Sequence, residues 1–261
     1  MLAKLLKYEL KSTARSFLPL YGGLVGLSII TAFFYHLQEN MQWLFGIATA
    51  LLFALMFGTM VFTLVVIIQR FYNNLLKDEG YLMFTLPVKT GSLIGSKLIA
   101  SVIWVLAGIL VACISFIVFM FGVSGLSISE IVPMLKDVFS HEFAPLWYAL
   151  QNNIGIKFGL IIEMLIAAIV YLVAFILQLY TAMSIGQLPP FAKHKVGFAV
   201  LAYIAIYVLI QMLLTPFGFM TANITPSVQF LTNLILISNG ILAVVFYLVT
   251  YFILKKKLNL E

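Results

Sequence analysis

Six long apolar runs divide this 261-residue chain, over 17–36, 43–68, 98–122, 158–183, 196–217 and 231–254. Each holds about 20 residues or more, enough for a helix to cross a hydrocarbon core of about 30 Å. The runs are continuous rather than alternating, which is not the pattern of a transmembrane β-barrel. A helix that is apolar on every side has no face that water can solvate. Composition agrees, with 63% hydrophobic and 9% charged residues, against about 25% charged in a soluble domain. The sequence therefore predicts an all-α, polytopic membrane protein with six transmembrane helices. No link is long enough for a separate soluble domain, so residues 1–261 are expected to form a single transmembrane domain.

An even number of spans places both termini on one side. Thirteen of the 15 basic residues fall on that side: Lys4, Lys7, Lys11, Arg15, Arg70, Lys77, Lys89, Lys97, Lys193, Lys195, Lys255, Lys256 and Lys257. Only Lys136 and Lys157 fall on the other. This asymmetry predicts that both termini are cytoplasmic, and the multi-pass protein is expected in the plasma membrane. The formal charge of +6 then reads as attraction to anionic cytoplasmic lipid rather than to nucleic acid. The single Cys113 lies inside the third run and can form no intrachain disulfide. The first run is too long, and starts too far in, for a cleavable signal.

Residues 1–16 pattern as an amphipathic interfacial helix. Lys4, Lys7, Lys11 and Arg15 make one basic stripe, opposite Leu2, Leu6, Leu10 and Phe17, as suits a helix lying along a membrane surface. Glu9 interrupts the apolar side, either as an acid reaching water or as a contact to a partner. The outer links differ in length. Residues 123–157 are expected to form a cap on the membrane. Ser127 and Glu130 have capping-box spacing there, and Pro145 stands at the start of a short helix carrying Trp147 and Tyr148. On the inner side, Gly186-Gln187-Leu188-Pro189-Pro190 predicts a sharp helix-ending turn.

The inner link over 70–97 is not an ordinary solvated loop. Asp78 and Glu79 are adjacent acids, Gly80 permits a tight bend, and Tyr81, Leu82, Met83, Phe84, Leu86 and Val88 form an apolar patch ended by Pro87 within it. Exposed patches of this kind mark binding surfaces or membrane contacts. A surface helix packed on lipid and on its own spans fits the residues as well as a partner contact does.

The stretch Glu79-Gly80-Tyr81-Leu82-Met83-Phe84-Thr85-Leu86-Pro87-Val88, followed by Gly91-Ser92-Leu93 and Ser96-Lys97-Leu98, resembles the link after the second span in ABC-2-type transporter permeases of Gram-positive bacteria. The basic N-terminal helix and the six-span layout are similar to that family too. The resemblance implies a permease that pairs with a second permease, identical or not, above a separate cytoplasmic ATPase subunit. It implies that 70–97 is the coupling segment, with Asp78, Glu79, Tyr81 and Phe84 as ATPase contacts flanked by Glu9. The family's outer hairpin lies between spans five and six, whereas the longer outer segment here follows span three, so no lid is carried over.

Gly91-Ser92-Leu93-Ile94-Gly95-Ser96-Lys97 is not a phosphate loop, which needs four residues between its glycines and a lysine directly after the second. The chain is thus expected to bind no cofactor itself, with ATP held by the partner. His36, His141 and His194 are too scattered for a metal site, and no catalytic residue stands out, so an enzyme is not expected. Within the spans, Glu163 is the one clear acid, an expensive residue in hydrocarbon. Gln211 lies at similar depth and could hydrogen-bond it. Gln178 lies nearer the inner side. These three are read either as interhelical contacts or as polar points on a substrate path. Glycines 22, 23, 26, 46, 58 and 108 are read as sites of close helix approach. Together the residues and the resemblance predict the permease of an ATP-driven exporter moving an amphipathic cargo, such as a peptide, antibiotic or lipid-like molecule. A non-pumping immunity or scaffold subunit is the alternative.

Overall fold

The computed structural model describes residues 2–36, 38–77, 80, 88–124, 133, 136–137, 140, 144–149, 158–188, 190, 194–222 and 227–256. The described residues contain no strand, and six of their helices are long and apolar enough to cross a membrane. In chain order the helices are α1 (Leu2–His36), α2 (Gln38–Phe71), α3 (Thr90–Ser124), α4 (Ala144–Ala149), α5 (Phe158–Gly186), α6 (Lys195–Ala222) and α7 (Val228–Lys256). A π-helical turn, Tyr72–Leu76, continues α2. The six predicted spans are all present. The short helix expected at Pro145 is α4, while the capping pair Ser127 and Glu130 lies outside the described residues.

Two boundaries differ from the sequence expectation. The basic N-terminal segment is not a separate helix. It runs without a break into the first span, and Pro19 lies inside the helix. At 35 residues, α1 is about 52 Å long, roughly 20 Å more than the hydrocarbon core. Lys4, Lys7, Lys11 and Arg15 are exposed, whereas Leu6 and Leu10 are partly covered and Thr13 and Phe17 are buried. The link over 70–97 is also shorter than expected. Helix and π-turn extend to Leu76, and α3 begins at Thr90, with Leu93, Ile94, Ser96 and Lys97 buried.

The chain divides into two compact units, residues 3–67 with 99–148, and residues 1–2, 68–98 and 149–261. In the first, Thr13, Phe17, Tyr21, Leu24, Ser28 and Thr31 form the buried stripe of α1, spaced by threes and fours as one helix face requires. Phe17 stacks on Trp104 of α3 with centroids 4.4 Å apart and meets Phe62 of α2 edge-on at 5.7 Å. The Trp104 indole N–H donates to Thr13 Oγ1 at 2.7 Å, and the Tyr21 hydroxyl donates to the Trp104 carbonyl at 3.0 Å. A methyl at Gly108 would lie 3.2 Å from the Tyr21 hydroxyl, and one at Gly122 would overlap Ala32. Those two glycines let α3 approach α1 closely. Gly22, Gly23, Gly26, Gly46 and Gly58 face open space instead.

In the second unit α5 packs chiefly against α7, and also against α6. Leu160, Ala167, Ala174 and Thr181 are buried at seven-residue intervals, and from Ala174 to Gly186 nearly every α5 side chain is buried or partly covered. Thr181 Oγ1 lies 3.0 Å from Thr250 Oγ1 and 3.1 Å from the Phe246 carbonyl, joining α5 to α7. The turn after Gly186 is closed by Gln187 N–H donating to the Ser184 carbonyl and Leu188 N–H to that of Ile185. A methyl at Gly186 would lie 2.6 Å from the Lys195 carbonyl oxygen and 2.9 Å from the Ala199 nitrogen, so α5 can meet α6 this closely only at a glycine.

Candidate functional site

The link between α2 and α3 has two fixed ends. Phe71 stacks on Tyr180 of α5 at 3.9 Å and 12°, and both are almost completely buried. Leu75 and Leu76 bury the π-turn that follows. The chain leaves it at Lys77, in extended backbone, and bends back so that the Gly80 N–H donates to the Lys77 carbonyl at 2.7 Å. A methyl on Gly80 would stand 2.6 Å from the Leu75 carbonyl oxygen, so this bend requires glycine. At the other end, the N–H groups of Ser92 and Leu93 donate to the Lys89 carbonyl. Gly91 lies against Tyr247 of α7, whose hydroxyl is 3.5 Å from the Gly91 carbonyl oxygen. Asp78, Glu79, Tyr81 and Phe84, the predicted contacts of the coupling segment, lie outside the described residues. Described are the buried anchors on either side of them.

Glu9 is half-buried on α1, where its carbonyl accepts the Thr13 hydroxyl at 2.8 Å.

The three intramembrane polar residues are not gathered into one site. Glu163 is half-buried on α5, and its Oε2 is covered without a hydrogen-bond partner among the described residues. Gln211 is exposed on α6. The expected acid–amide hydrogen bond is therefore not made through that oxygen. Gln178 lies 15 residues further along α5, about 22 Å down the axis. It is buried, with Nε2 unpartnered among the described residues. Gln187 Oε1, in the turn after α5, is buried and unpartnered in the same sense.

Two features escaped the sequence analysis. One is the hydroxyl contact of Thr181 with Thr250, two threonines among many in apolar runs. The other is a half-open cavity of about 340 Å³ between residues 68–73, 179–183 and 196–203. Its walls have the same composition as the rest of the spans, so only the three-dimensional arrangement discloses it. The π-turn, which forms part of the wall, had its sole trace in Tyr72-Asn73-Asn74, a polar step at the end of an apolar run.

No family model, curated protein or solved structure matches this chain.

Proposed function

We propose that this chain is the permease subunit of an ATP-driven exporter, moved by a separate cytoplasmic ATPase that grips the link between α2 and α3. The observation that carries this reading is the firm seating of that link's two ends. Coupling requires a partner to favour one conformation over another, and force applied to a link is transmitted only if its roots are rigid. Phe71 stacked on Tyr180, the buried Leu75 and Leu76, and Gly91 against Tyr247 meet that requirement. Asp78, Glu79, Tyr81 and Phe84 then supply charge and aromatic surface to the ATPase, and Glu9 and the basic start of α1 belong to the same cytoplasmic side. In this reading both termini are cytoplasmic, the membrane is the plasma membrane, and ATP is bound by the partner. The exposed glycines of α1 and α2 leave room for the close approach of a second permease. The cargo is amphipathic, and Glu163, Gln178 and Gln211 are polar points along its route.

The test is affinity purification of the tagged chain from its native membrane. An ATPase subunit should co-purify, and replacing both Asp78 and Glu79 with Ala, or Phe84 with Asp, should weaken its binding by about thirtyfold, the loss that a hot spot of about 2 kcal/mol produces, and cut its recovery without reducing membrane insertion. Recovery unchanged by either variant would count against the coupling role. Glu163→Gln should lower export while leaving thermal stability intact, and unaltered export would reduce Glu163 to an interhelical contact.

A further inference from the structure

The cavity of the second unit is apolar over nearly all of its lining. Ile68, Ala182, Met183, Val200 and Tyr203 supply greasy wall, while Tyr72 and Asn73 of the π-turn line it beside the link. Lys77 Nζ lies 5.8 Å from the centre of the Tyr72 ring, which places a cation beside a lining residue. A π-turn interrupts the regular helical ladder and is often found where a helix serves a site.

An apolar slot left empty forfeits the dispersion contacts of its walls, and water gains little from entering one. The medium around a membrane helix is lipid, and a half-open slot admits it. A helix about 10 Å wide is too bulky for a space of 340 Å³, whereas an unbranched acyl chain is not. We propose that this cavity seats one acyl chain of a phospholipid from the adjacent leaflet, with the lipid phosphate held at Lys77. Asp78 and Glu79 follow Lys77 in the chain but lie outside the described residues, so the phosphate contact is assigned to Lys77 alone. The proposal does not depend on an ATPase partner.

The full chain in nanodiscs, labelled with photoreactive phosphatidylglycerol bearing a diazirine on its acyl tail, tests this directly. Peptide mass spectrometry should find adducts on Met183 and Tyr203 about tenfold above those on Met212, an exposed residue of α6, a ratio equal to about 1.4 kcal/mol of preference. Phosphatidylcholine with the same tail should label the same peptides, and a photoreactive diacylglycerol with that tail, which carries no phosphate, should label them less. Lys77→Gln should weaken phospholipid labelling and leave diacylglycerol labelling unchanged. Ala199→Trp should abolish the preference by filling the cavity. Because Ala199 also touches the Gly186 turn, Val200→Phe serves as a second filling variant, and the wild-type adduct map needs no variant at all. Labelling at Met183 no stronger than at Met212 would overturn the proposal. Equal labelling by the diacylglycerol, or phospholipid labelling indifferent to Lys77→Gln, would overturn its phosphate half.

Discussion

The two compact units hold their helices together in different ways. In the unit built on α1 and α3, rings do most of the joining: Phe17 lies flat on Trp104, and the indole and Tyr21 hydroxyl each hydrogen-bond across the helices. In the unit built on α5 and α7, small and hydroxyl-bearing residues do it, with Ala174, Thr181, Ser184 and Gly186 buried on α5 and Thr250 buried opposite. Meanwhile Leu209, Met212 and Leu213 of α6 are exposed, and no described α6 side chain is buried. The contrast shows what burial selects in a bilayer. Lipid tails are as apolar as leucine, so hydrophobicity gives helices no reason to associate. Shape and hydrogen bonding decide which side chains are covered.

Substitutions can break or sharpen this contrast. The largest loss is expected from Trp104→Ala, which removes the ring stacked on Phe17 and the indole N–H that donates to Thr13, while the backbone carbonyl that accepts from Tyr21 remains. It should destabilise the protein by about 3 kcal/mol, the low end for a core aromatic deletion, because lipid exposure of the unfolded helix costs little. Thermal denaturation in detergent would show it. Gly186→Leu should come next, at about 2 kcal/mol from overpacking against α6, seen as a lower unfolding temperature and a poorer monodisperse yield. Thr181→Val keeps the shape and loses the hydroxyl, and should cost about 1 kcal/mol. A double-mutant cycle with Thr250→Val would assign that loss to the pair. Leu209→Ala should change stability by less than about 0.5 kcal/mol. A loss as large as that of Thr181→Val would mean that α6 is packed against something other than lipid.

The spans were legible because hydrocarbon demands a long uninterrupted apolar run, and nothing else in a chain of this size produces six. Their ends were less legible. Thr90 to Lys97 looks like loop by composition, yet it is helix, because the Lys89 carbonyl captures the first amides and Leu93 and Ile94 find buried places. Residues 1–16 carry a true amphipathic pattern, but a surface helix and the overhanging start of a span share it. Rotation about each axis was hardest to read, since buried and lipid-facing sides are both apolar. Glu163 and Gln211 matched in depth, yet Gln211 points away from protein cover and the Glu163 Oε2 lacks a partner among the described residues. Five of the six glycines expected at helix contacts face open space for the same reason.

The account's central claim is that the link between α2 and α3 is a handle for a motor, and a photo-crosslinking amino acid placed at Phe84 in cells tests it most directly. The predicted result is a covalent adduct with an ATP-binding subunit whose yield changes when that subunit is trapped with nucleotide. Adducts with lipid alone, or with this chain's own helices, would contradict it.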